Sequence, residues 1–430
     1  MSHHTYKESY YNIEVCKDTQ GRILLFNSAS ESIAWFSPEI LATFRGRTKI
    51  PYNNLLPDII NAGFAVDDTK DEIYEYLYAR HQIAFDSNPT QLSYVIAPTM
   101  ACNYNCEYCF ETKRENYICQ NHTIAHIVSF IKSQVDSDKC IKHVHIQWFG
   151  GEPLLAFDVI EHISTELIRF CNDKSIKFSA TITTNGYYLD KYKIDKLYSF
   201  NVNNIQITLD GLADTYAISK GCKKDCFDTV LANIKKCNNI VPVVIRLNVS
   251  KRNTGEIQRL ISYILTNIAP NVKFHIVPVH AYCNDVKNII LENEEFNSFL
   301  KSIIDWACNV GYQKNILILR PRCHTIVCDA MLGKSYVIGP NGCLYKCTHQ
   351  IGYEEYSVGN VETGFVHNRT ALDYVKNELP HKCIECKILP VCAGGCPFNR
   401  IYNHVDVDCI AKFSEVIEAV KAYEKVKKIT

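Results

Sequence analysis

Three cysteines are the residues whose type and spacing most directly imply chemistry. Cys102, Cys106 and Cys109 follow one another at offsets of four and three residues. Thiolates are the usual ligands of iron–sulfur clusters, and three of them occupy three corners of a four-iron cube. The fourth iron then has no protein ligand and can bind a small molecule. The spacing therefore predicts a [4Fe–4S] cluster with one open iron, poised to pass an electron to whatever binds there.

Zinc is the alternative occupant of this loop. Structural zinc sites take four tetrahedral ligands, commonly from two short pairs of cysteines or histidines. Three cysteines in the loop that follows a strand fit this pattern poorly, so we favour iron.

The elements that must position these cysteines form a repeating pattern of strands and helices. Six short apolar runs, rich in β-branched and aromatic residues, are Leu92–Ala97, His143–Phe149, Phe178–Thr183, Asn204–Leu209, Val243–Val249 and Phe274–Val279. Helical stretches lie between them, including Thr123–Val135, Val159–Cys171, Phe227–Asn238 and Gly255–Ile268. Such alternation predicts an α/β fold with a parallel sheet. Six units are too few for a closed eight-stranded barrel, so a partial barrel is expected.

The run Cys102-Asn-Tyr-Asn-Cys106-Glu-Tyr-Cys109 resembles the CxxxCxxC signature of the radical S-adenosylmethionine (SAM) superfamily. The resemblance extends over roughly Leu92 to Trp306. It implies a partial (β/α)6, TIM-like barrel and SAM bound to the open iron through its amino and carboxylate groups. Reductive cleavage of SAM would then give methionine and a 5′-deoxyadenosyl radical.

The same resemblance implies a set of contacts to SAM. Tyr108 is expected near the adenine. Gly150, Gly151 and Glu152 stand where the family has its glycine-rich motif after the second strand. The glycines would let the backbone approach the methionine amino group, and Glu152 would support that ammonium.

Three later strand ends carry softer candidates. Asn185 follows the third strand, Asp210 follows the fourth, and Arg246 lies on the fifth of the six strands. The resemblance implies that Asn185 and Arg246 contact SAM, the latter through its carboxylate. Turn chemistry or a satisfied structural polar group is the alternative for each.

The segment from residue 323 to residue 409 contains nine cysteines. Their spacing resembles the SPASM domain, an appendix of radical SAM enzymes that modify peptides. That resemblance implies two auxiliary [4Fe–4S] clusters. The first would use Cys328, Cys347 and Cys396, with Cys323 as a possible fourth ligand, and the second would use Cys383, Cys386, Cys392 and Cys409. If Cys323 is not a ligand, the first auxiliary cluster keeps an open iron. A zinc ribbon is the alternative.

The first ninety residues are expected to form a small α+β unit. A hairpin is predicted around Asp18–Gly21 and is followed by short helices. The layout resembles the winged-helix-like element by which peptide maturases grip a leader peptide, and a plain structural cap is the alternative. We therefore expect a leader-recognition domain (1–90), a radical SAM barrel (91–318), a SPASM domain (319–410) and a C-terminal helix (411–430).

Composition narrows the class of protein. The chain has 46 basic and 46 acidic residues, which disfavours a general nucleic-acid binder. The polar N-terminus lacks an apolar signal core, and no run of 18 or more apolar residues is present, so a cytoplasmic protein without membrane contact is expected. With 21 cysteines in a reducing compartment, metal binding is favoured over disulfides. A plain electron carrier would need neither the glycine motif nor a large barrel.

These features predict a maturase that cross-links a ribosomally synthesised precursor peptide. A thioether is favoured, with a carbon–carbon or carbon–oxygen link close behind; formylglycine formation, as in anaerobic sulfatase maturases, and peptide epimerisation are alternatives. Thr348 stands after Cys347, where sulfatase maturases have an acidic residue. Candidate bases are His349, Glu354 and Glu355. The expected partners are the precursor peptide with its leader and an electron donor such as a flavodoxin or ferredoxin.

Overall fold

The chain folds into two compact units. The computed structural model describes residues 5–46, 56–85, 89–111, 117–237, 239–280, 286–317, 321–403, 409 and 413–429. The barrel unit comprises Ser87–Leu317 and Gly333–Leu372; the terminal unit comprises Met1–Asp86, Ile318–Leu332 and Asp373–Thr430. The first 86 residues thus share a unit with the end of the chain instead of standing apart, and the cysteine-rich segment is divided between both units. The roles expected of the four sequence segments stay predictions.

The N-terminal part of the terminal unit contains five short strands and three helices. They are β1 (Tyr6–Glu8), β2 (Asn12–Lys17), β3 (Ile23–Asn27), β4 (Ile33–Phe36), α1 (Pro38–Phe44), α2 (Leu56–Asn61), β5 (Ala65–Asp67) and α3 (Glu72–Ala84). The expected hairpin is β2–β3, and β4 extends it into a three-stranded antiparallel sheet. Because side chains alternate along a strand, Leu25 packs with Phe44 on one face, while Leu24 packs with Val420 on the other.

The barrel unit is built on six parallel strands, which the sequence pattern predicted. They are β6 (Gln91–Ile96), β7 (His143–Trp148), β8 (Lys177–Thr184), β9 (Val202–Thr208), β10 (Val243–Val249) and β11 (Lys273–Pro278). They are hydrogen-bonded in chain order. Their carboxyl ends therefore meet at one edge of the sheet, where βα folds bind ligands.

In the described part of the barrel unit, seven α-helices connect the strands or follow them. They are α4 (Asn121–Asp136), α5 (Phe157–Asp173), α6 (Lys191–Ser199), α7 (Ala213–Lys220), α8 (Asp225–Cys237), α9 (Ile257–Asn267) and α10 (Asn293–Val310). Helix α9 shows the amphipathic pattern clearly, since Ile257, Leu260, Ile261 and Ile264 are all fully buried. This apolar stripe at i, i+3, i+4 and i+7 is typical of a helix that packs one side on a core.

The remainder of the chain is made of short elements and one long helix. They are β12 (Tyr336–Ile338), β13 (Leu344–Tyr345), β14 (Gly359–Asn360), β15 (Gly364–Phe365), α11 (Arg369–Lys376), α12 (His381–Ile384), α13 (Leu389–Cys392), α14 (Pro397–Tyr402) and α15 (Phe413–Ile429). Strand β12 pairs in parallel with β6, and β13 pairs antiparallel with β12. Part of the segment expected to be a separate SPASM domain thus extends the barrel sheet.

Within the described residues, no helix combines the length and apolar character needed to cross a membrane.

Candidate functional site

The three predicted cluster cysteines lie in the loop between β6 and α4, at the carboxyl edge of the sheet. Cys102, Cys106 and Cys109 are each partly buried. The backbone N–H of Tyr104 donates to Sγ of Cys102 at 3.5 Å, and Cys109 N donates to the carbonyl of Cys106 at 3.2 Å. The described residues contain no group of three or more His, Cys, Asp or Glu arranged around a single metal ion. A four-iron cluster takes one thiolate per iron, so its ligands need not converge on one point.

Two glycines after β7 hold the start of this cysteine loop. A Cβ on Gly151 would lie 2.3 Å from the carbonyl oxygen of Ala101, and a Cβ on Gly150 would lie 2.5 Å from that of Thr99. Gly150 also has a φ of +108°, which side chains other than glycine rarely adopt. The N–H of Glu152 donates to the carbonyl of Ala101 at 2.8 Å. Only glycine lets the two backbones pack this closely.

The buried Glu152 side chain connects the end of β7 to the end of β8 through hydrogen bonds. Its side chain is fully buried, and Oε1 accepts from Thr184 Oγ1 at 2.7 Å and from Leu154 N at 3.0 Å. Its Oε2 accepts from the N–H of Asn185 at 2.8 Å. Burial raises the pKa of Glu152 to about 7, although these three hydrogen bonds oppose the shift. The carboxyl group positions the end of β8, and its expected contact with the SAM ammonium stays a prediction.

Asn185 extends this hydrogen-bond network to the cysteine loop. Its Nδ2 donates to Oδ1 of Asn103 at 2.8 Å, directly beside Cys102. The structure therefore gives Asn185 a contact with the loop itself, and its expected contact with SAM stays a prediction.

A buried ion pair contacts the hydroxyl group of Tyr108. Lys220 Nζ is 2.9 Å from Asp210 Oδ2, and the two side chains are only 3% and 1% exposed. Lys220 also donates to the Tyr108 hydroxyl at 2.6 Å, and that hydroxyl donates to Asp210. Burial lowers the pKa of Lys220, but Asp210 opposes it, and the pKa ends well above its usual range. Burial, with Asp210, also raises the pKa of Tyr108, which therefore stays a neutral donor.

The end of α7 holds the same loop through its backbone. The carbonyl of Lys220 accepts from Asn105 N at 2.9 Å, and that of Ser219 accepts from Glu107 N at 3.1 Å. Gly221 then ends the helix in the left-handed conformation, where a Cβ would lie 2.6 Å from the carbonyl oxygen of Asn105. Asp210 could be predicted because it follows a strand, whereas Lys220 could not, because nothing in the local pattern of α7 indicates where its last side chain points.

One face of the barrel sheet is polar. His145, Thr181, Gln206, Arg246 and His275 are half-buried, whereas their strand neighbours on the other face are buried and apolar. Arg246 Nε donates to Asn248 Oδ1 at 2.9 Å. Burial lowers the pKa of His275, and the neighbouring charge of Arg246 adds to this effect. A polar face with a guanidinium suits an anionic or zwitterionic ligand.

Of the three candidate bases, His349 lies beside the cysteine loop. Its ring stacks on Phe110, the residue after Cys109, with ring centroids 4.1 Å apart and an interplanar angle of 26°. Burial lowers the pKa of His349 to about 4. Glu354 and Glu355 are exposed in a short 3-10 turn.

The four cysteines assigned to the second auxiliary cluster are neighbours in the terminal unit. Burial raises the pKa of the Cys383 thiol; Arg400 opposes this shift, while Cys392, Cys409 and Cys386 add to it. The Cys383 thiol is therefore within electrostatic reach of the other three. A group of four thiols with no carboxylate among them is the donor set of an iron–sulfur cluster.

The first auxiliary set is divided between the units. Cys323, Cys328 and Cys396 belong to the terminal unit, and Cys347 belongs to the barrel unit. The N–H of Cys323 donates to Glu31 Oε1 at 2.9 Å. The assignment of this cluster, including its fourth ligand, stays a prediction.

The fold and the three-cysteine loop define an enzyme class. Residues 96–264 match the family model of the radical SAM superfamily. The chain therefore contains a radical SAM domain, and the matched residues cover the cysteine loop and strands β7 to β10, beginning at the last residue of β6.

Three more specific similarities extend beyond that domain. The radical SAM cyclopropyl synthase TigE of Paramaledivibacter caminithermalis is 23% identical over 392 residues, covering 80% of this chain and 76% of TigE. A cysteine-type anaerobic sulfatase-maturating enzyme of Clostridium novyi is 23% identical over 345 residues, covering 73% and 89%. The crystal structure of Streptococcus suis SuiB bound to its precursor peptide SuiA has a TM-score of 0.56 at 16% identity, covering 91% and 95%. The chain is thus similar in sequence to a radical SAM cyclopropyl synthase and to a sulfatase-maturating enzyme, and similar in fold to SuiB.

Proposed function

We propose that this enzyme is a peptide maturase that removes hydrogen from a ribosomally synthesised precursor peptide and installs an intramolecular cross-link, with a thioether favoured. The observation that carries the proposal is the cysteine loop fixed at the carboxyl edge of the sheet, bordered by a polar face. The similarity to SuiB, which binds the precursor peptide SuiA, supports a peptide substrate. The similarity to TigE, named as a cyclopropyl synthase, supports bond formation as the outcome.

Cys102, Cys106 and Cys109 would hold the cluster. When bound, a [4Fe–4S] cluster with an open iron supplies the electron that cleaves SAM to a carbon radical. The chain contributes position and shielding. Gly150 and Gly151 keep the loop against the sheet edge, since each packs within van der Waals distance of the loop backbone.

Tyr108 would border the bound SAM from within the cysteine loop. Its hydroxyl is held by Lys220 and Asp210, so the ring has a fixed direction. Arg246, on the polar face, would bind the SAM carboxylate. Both roles rest on where these residues lie relative to the loop and to the sheet edge.

The auxiliary clusters would take up the second electron of a net oxidation. Cys383, Cys386, Cys392 and Cys409 would hold one of them, and their proximity in the terminal unit supports this. Cys323, Cys328, Cys347 and Cys396 would hold the other. A flavodoxin or ferredoxin would supply the first electron in the cell.

His349 is the candidate base that the geometry supports best. It stacks on Phe110, immediately after the last cluster cysteine, whereas Glu354 and Glu355 are exposed in a turn. A base must lie within reach of the reacting group. His349→Ala should reduce peptide modification while leaving cleavage of SAM intact, and Glu354→Ala is the matched control.

The leader peptide would bind along the edge strand β4. The register with β3 leaves the N–H of Ile33 pointing away from β3, towards the side where a strand could be added. Proline at position 33 removes this donor without breaking the β3–β4 ladder. Ile33→Pro should weaken precursor binding, measured by fluorescence anisotropy, while Ile33→Val should not. Equal affinity in both variants would exclude this edge as the leader site.

Formylglycine formation is the second candidate, favoured by the similarity to the sulfatase-maturating enzyme of Clostridium novyi. Thr348 stands where sulfatase maturases have an acidic residue, which speaks against it. Epimerisation of a peptide residue is a third outcome.

The test is anaerobic reconstitution followed by mass spectrometry of the peptide encoded beside the gene, after co-expression. A cross-link removes a pair of hydrogen atoms and leaves all sulfur in place. Formylglycine formation from cysteine removes the sulfur, and epimerisation leaves the mass unchanged. With dithionite and SAM, wild-type protein should release 5′-deoxyadenosine and Cys106→Ala should not. Cleavage by that variant at the wild-type rate would contradict the cluster assignment.

A further inference from the structure

Arg80, in α3 of the N-terminal segment, is a buried cation whose hydrogen-bond partners are all uncharged. Its side chain is 2% exposed. One guanidinium nitrogen donates to the carbonyl of Ala393 at 2.9 Å and to that of Thr325 at 3.4 Å. The other donates to the carbonyl of Asn377 at 3.4 Å and to Sδ of Met331 at 3.9 Å. None of these acceptors neutralises the charge.

Such an arrangement is costly unless an anion lies near. A buried guanidinium loses its hydration, and arginines inside proteins are normally paired with an anion. Here burial lowers the pKa of Arg80, and the like charge of Arg400 lowers it further, while Tyr76 and Cys383 oppose the shift. No described carboxylate pairs with Arg80. Of the groups that oppose the lowering of its pKa, Cys383 is the one assigned to a cluster.

Both guanidinium groups interact electrostatically with the same thiol. Arg80 and Arg400 each act on Cys383, whose other neighbours are Cys392, Cys386 and Cys409. A four-iron cluster with four thiolate ligands carries a net negative charge. Two cations beside that group of cysteines therefore complement such a cluster.

Arg80 also fixes the backbone that carries these cysteines. Its shortest bond goes to Ala393, which follows Cys392 and adopts a left-handed φ of 47°. This conformation is uncommon for alanine and must be held by its surroundings. One helical turn earlier, the Tyr76 hydroxyl donates to the carbonyl of His324 at 2.7 Å. Helix α3 thus binds two segments of the cysteine-rich region, one around His324 and one around Ala393.

We propose that Arg80 is a positioning residue for the second auxiliary cluster, whose negative charge it balances from within the fold. The N-terminal segment is then part of the cluster's housing as well as a candidate leader-binding element. The proposal rests on the auxiliary clusters of the proposed function. It also implies that deleting the chain before Gln91 removes Arg80 and disturbs the cluster, so such a truncation cannot report on leader binding alone.

The experiment uses the full chain with Cys102, Cys106 and Cys109 replaced by alanine, so that only auxiliary iron remains. In this background Arg80→Met removes the charge, Arg80→Lys keeps it but loses the planar fork, and Arg45→Met removes an exposed arginine of the same unit. Iron and sulfide are counted after reconstitution, and the midpoint potentials are measured by titration followed by electron paramagnetic resonance.

The parent protein should hold about eight irons per chain, as two four-iron clusters require. Arg80→Met should lose about half of this iron, or keep it with one potential shifted to more negative values. Arg80→Lys should stay closer to the parent in both readings, and Arg45→Met should match it. If Arg80→Met does not fold, Arg80→Gln, which keeps a donor for the carbonyls without the charge, takes its place: lost iron or a more negative potential supports the proposal, and full iron with unchanged potentials overturns it.

Two further results separate this inference from the proposed function. Full iron and unchanged potentials in Arg80→Met would overturn the role of Arg80 while leaving the auxiliary clusters in place. Absence of iron from the parent protein itself would overturn both.

Discussion

The cysteine loop of the barrel unit and the cysteine field of the terminal unit (Cys383, Cys386, Cys392 and Cys409) are held in different ways. The barrel loop is fixed by backbone packing against Gly150 and Gly151 and by a complete ion pair, Lys220 with Asp210. The terminal field is fixed by Arg80, whose buried charge is matched only by neutral carbonyls and a thioether. The first site balances its charges without its cofactor, whereas the second needs an anion to do so.

The difference has a chemical reason. An iron that must bind and release SAM at every turnover needs a loop whose position does not depend on the ligand. A cluster that only carries electrons can itself be part of the packing, because it never leaves. Metal-binding energy then becomes folding energy, as in small metal-stabilised domains.

Removal of iron is expected to have the largest effect and addresses this comparison directly. In chelator-treated protein, hydrogen exchange should lose most protection around Cys383 to Cys396, where Arg80 is left facing an empty site. Protection around Asn105 to Glu107 should fall less, because Lys220 and Ser219 still accept their hydrogen bonds. Equal loss in both regions would remove the distinction between the two sites.

Gly151→Ala should nearly abolish cleavage of SAM. The added Cβ would lie 2.3 Å from the carbonyl oxygen of Ala101, so the cysteine loop must move. We expect a loss of at least about 100-fold, the scale seen when catalytic groups are displaced by about 1 Å. The control is Gly255→Ala, where a Cβ meets nothing within 4 Å. Similar rates of 5′-deoxyadenosine release in both variants would contradict the close packing.

Lys220→Met should destabilise the barrel unit by about 3–5 kcal/mol, because it leaves Asp210 buried and unpaired. Denaturant unfolding of the iron-free protein measures this effect without the cluster. The double variant Lys220→Met, Asp210→Asn should recover part of the loss, since no unpaired charge remains. A single variant as stable as the wild type would show that the ion pair does not hold the loop.

Glu152→Gln should cost about 1–3 kcal/mol, because the new amide N–H would face the N–H of Asn185 that Oε2 now accepts from. The cost depends on pH in a defined direction. The folded pKa is about 7 against an ordinary value of 4.5, so folding favours the protonated acid. The stability that protonated Glu152 contributes to the folded protein is complete below pH 4.5 and is lost as the pH rises towards 7.

The difference in the free energy of unfolding between the wild type and Glu152→Gln should therefore decrease between pH 4.5 and pH 7. Thermal unfolding at a series of pH values tests this trend. Glu161→Gln, which changes a surface carboxylate, should shift stability by less than about 1 kcal/mol. A stability difference that increases with pH would show that the Glu152 carboxyl group is charged in the folded protein.

Local patterns predicted much of the barrel. The six strands of the sheet lie where apolar runs alternate with amphipathic helical stretches, because a parallel sheet buries one side of every strand against helices. The cysteine loop and the glycine pair could also be found in this way, since their chemistry depends on residue type and short spacing. Short strands such as β12 and β13 escaped notice because two or three residues carry no periodic signal.

Sequence by itself determined which chemical groups are available: three thiolates spaced for a four-iron cluster with one open iron, a glycine pair after the second strand, and a later segment rich in cysteines. Tertiary structure alone decided which side chains serve that chemistry. Lys220 reaches Asp210 and Tyr108, His349 stacks on Phe110, and Arg80 donates to the carbonyl of Ala393, 313 residues further along the chain. The partner of a buried charge is set by which distant segments the fold brings together, and no local spacing encodes that.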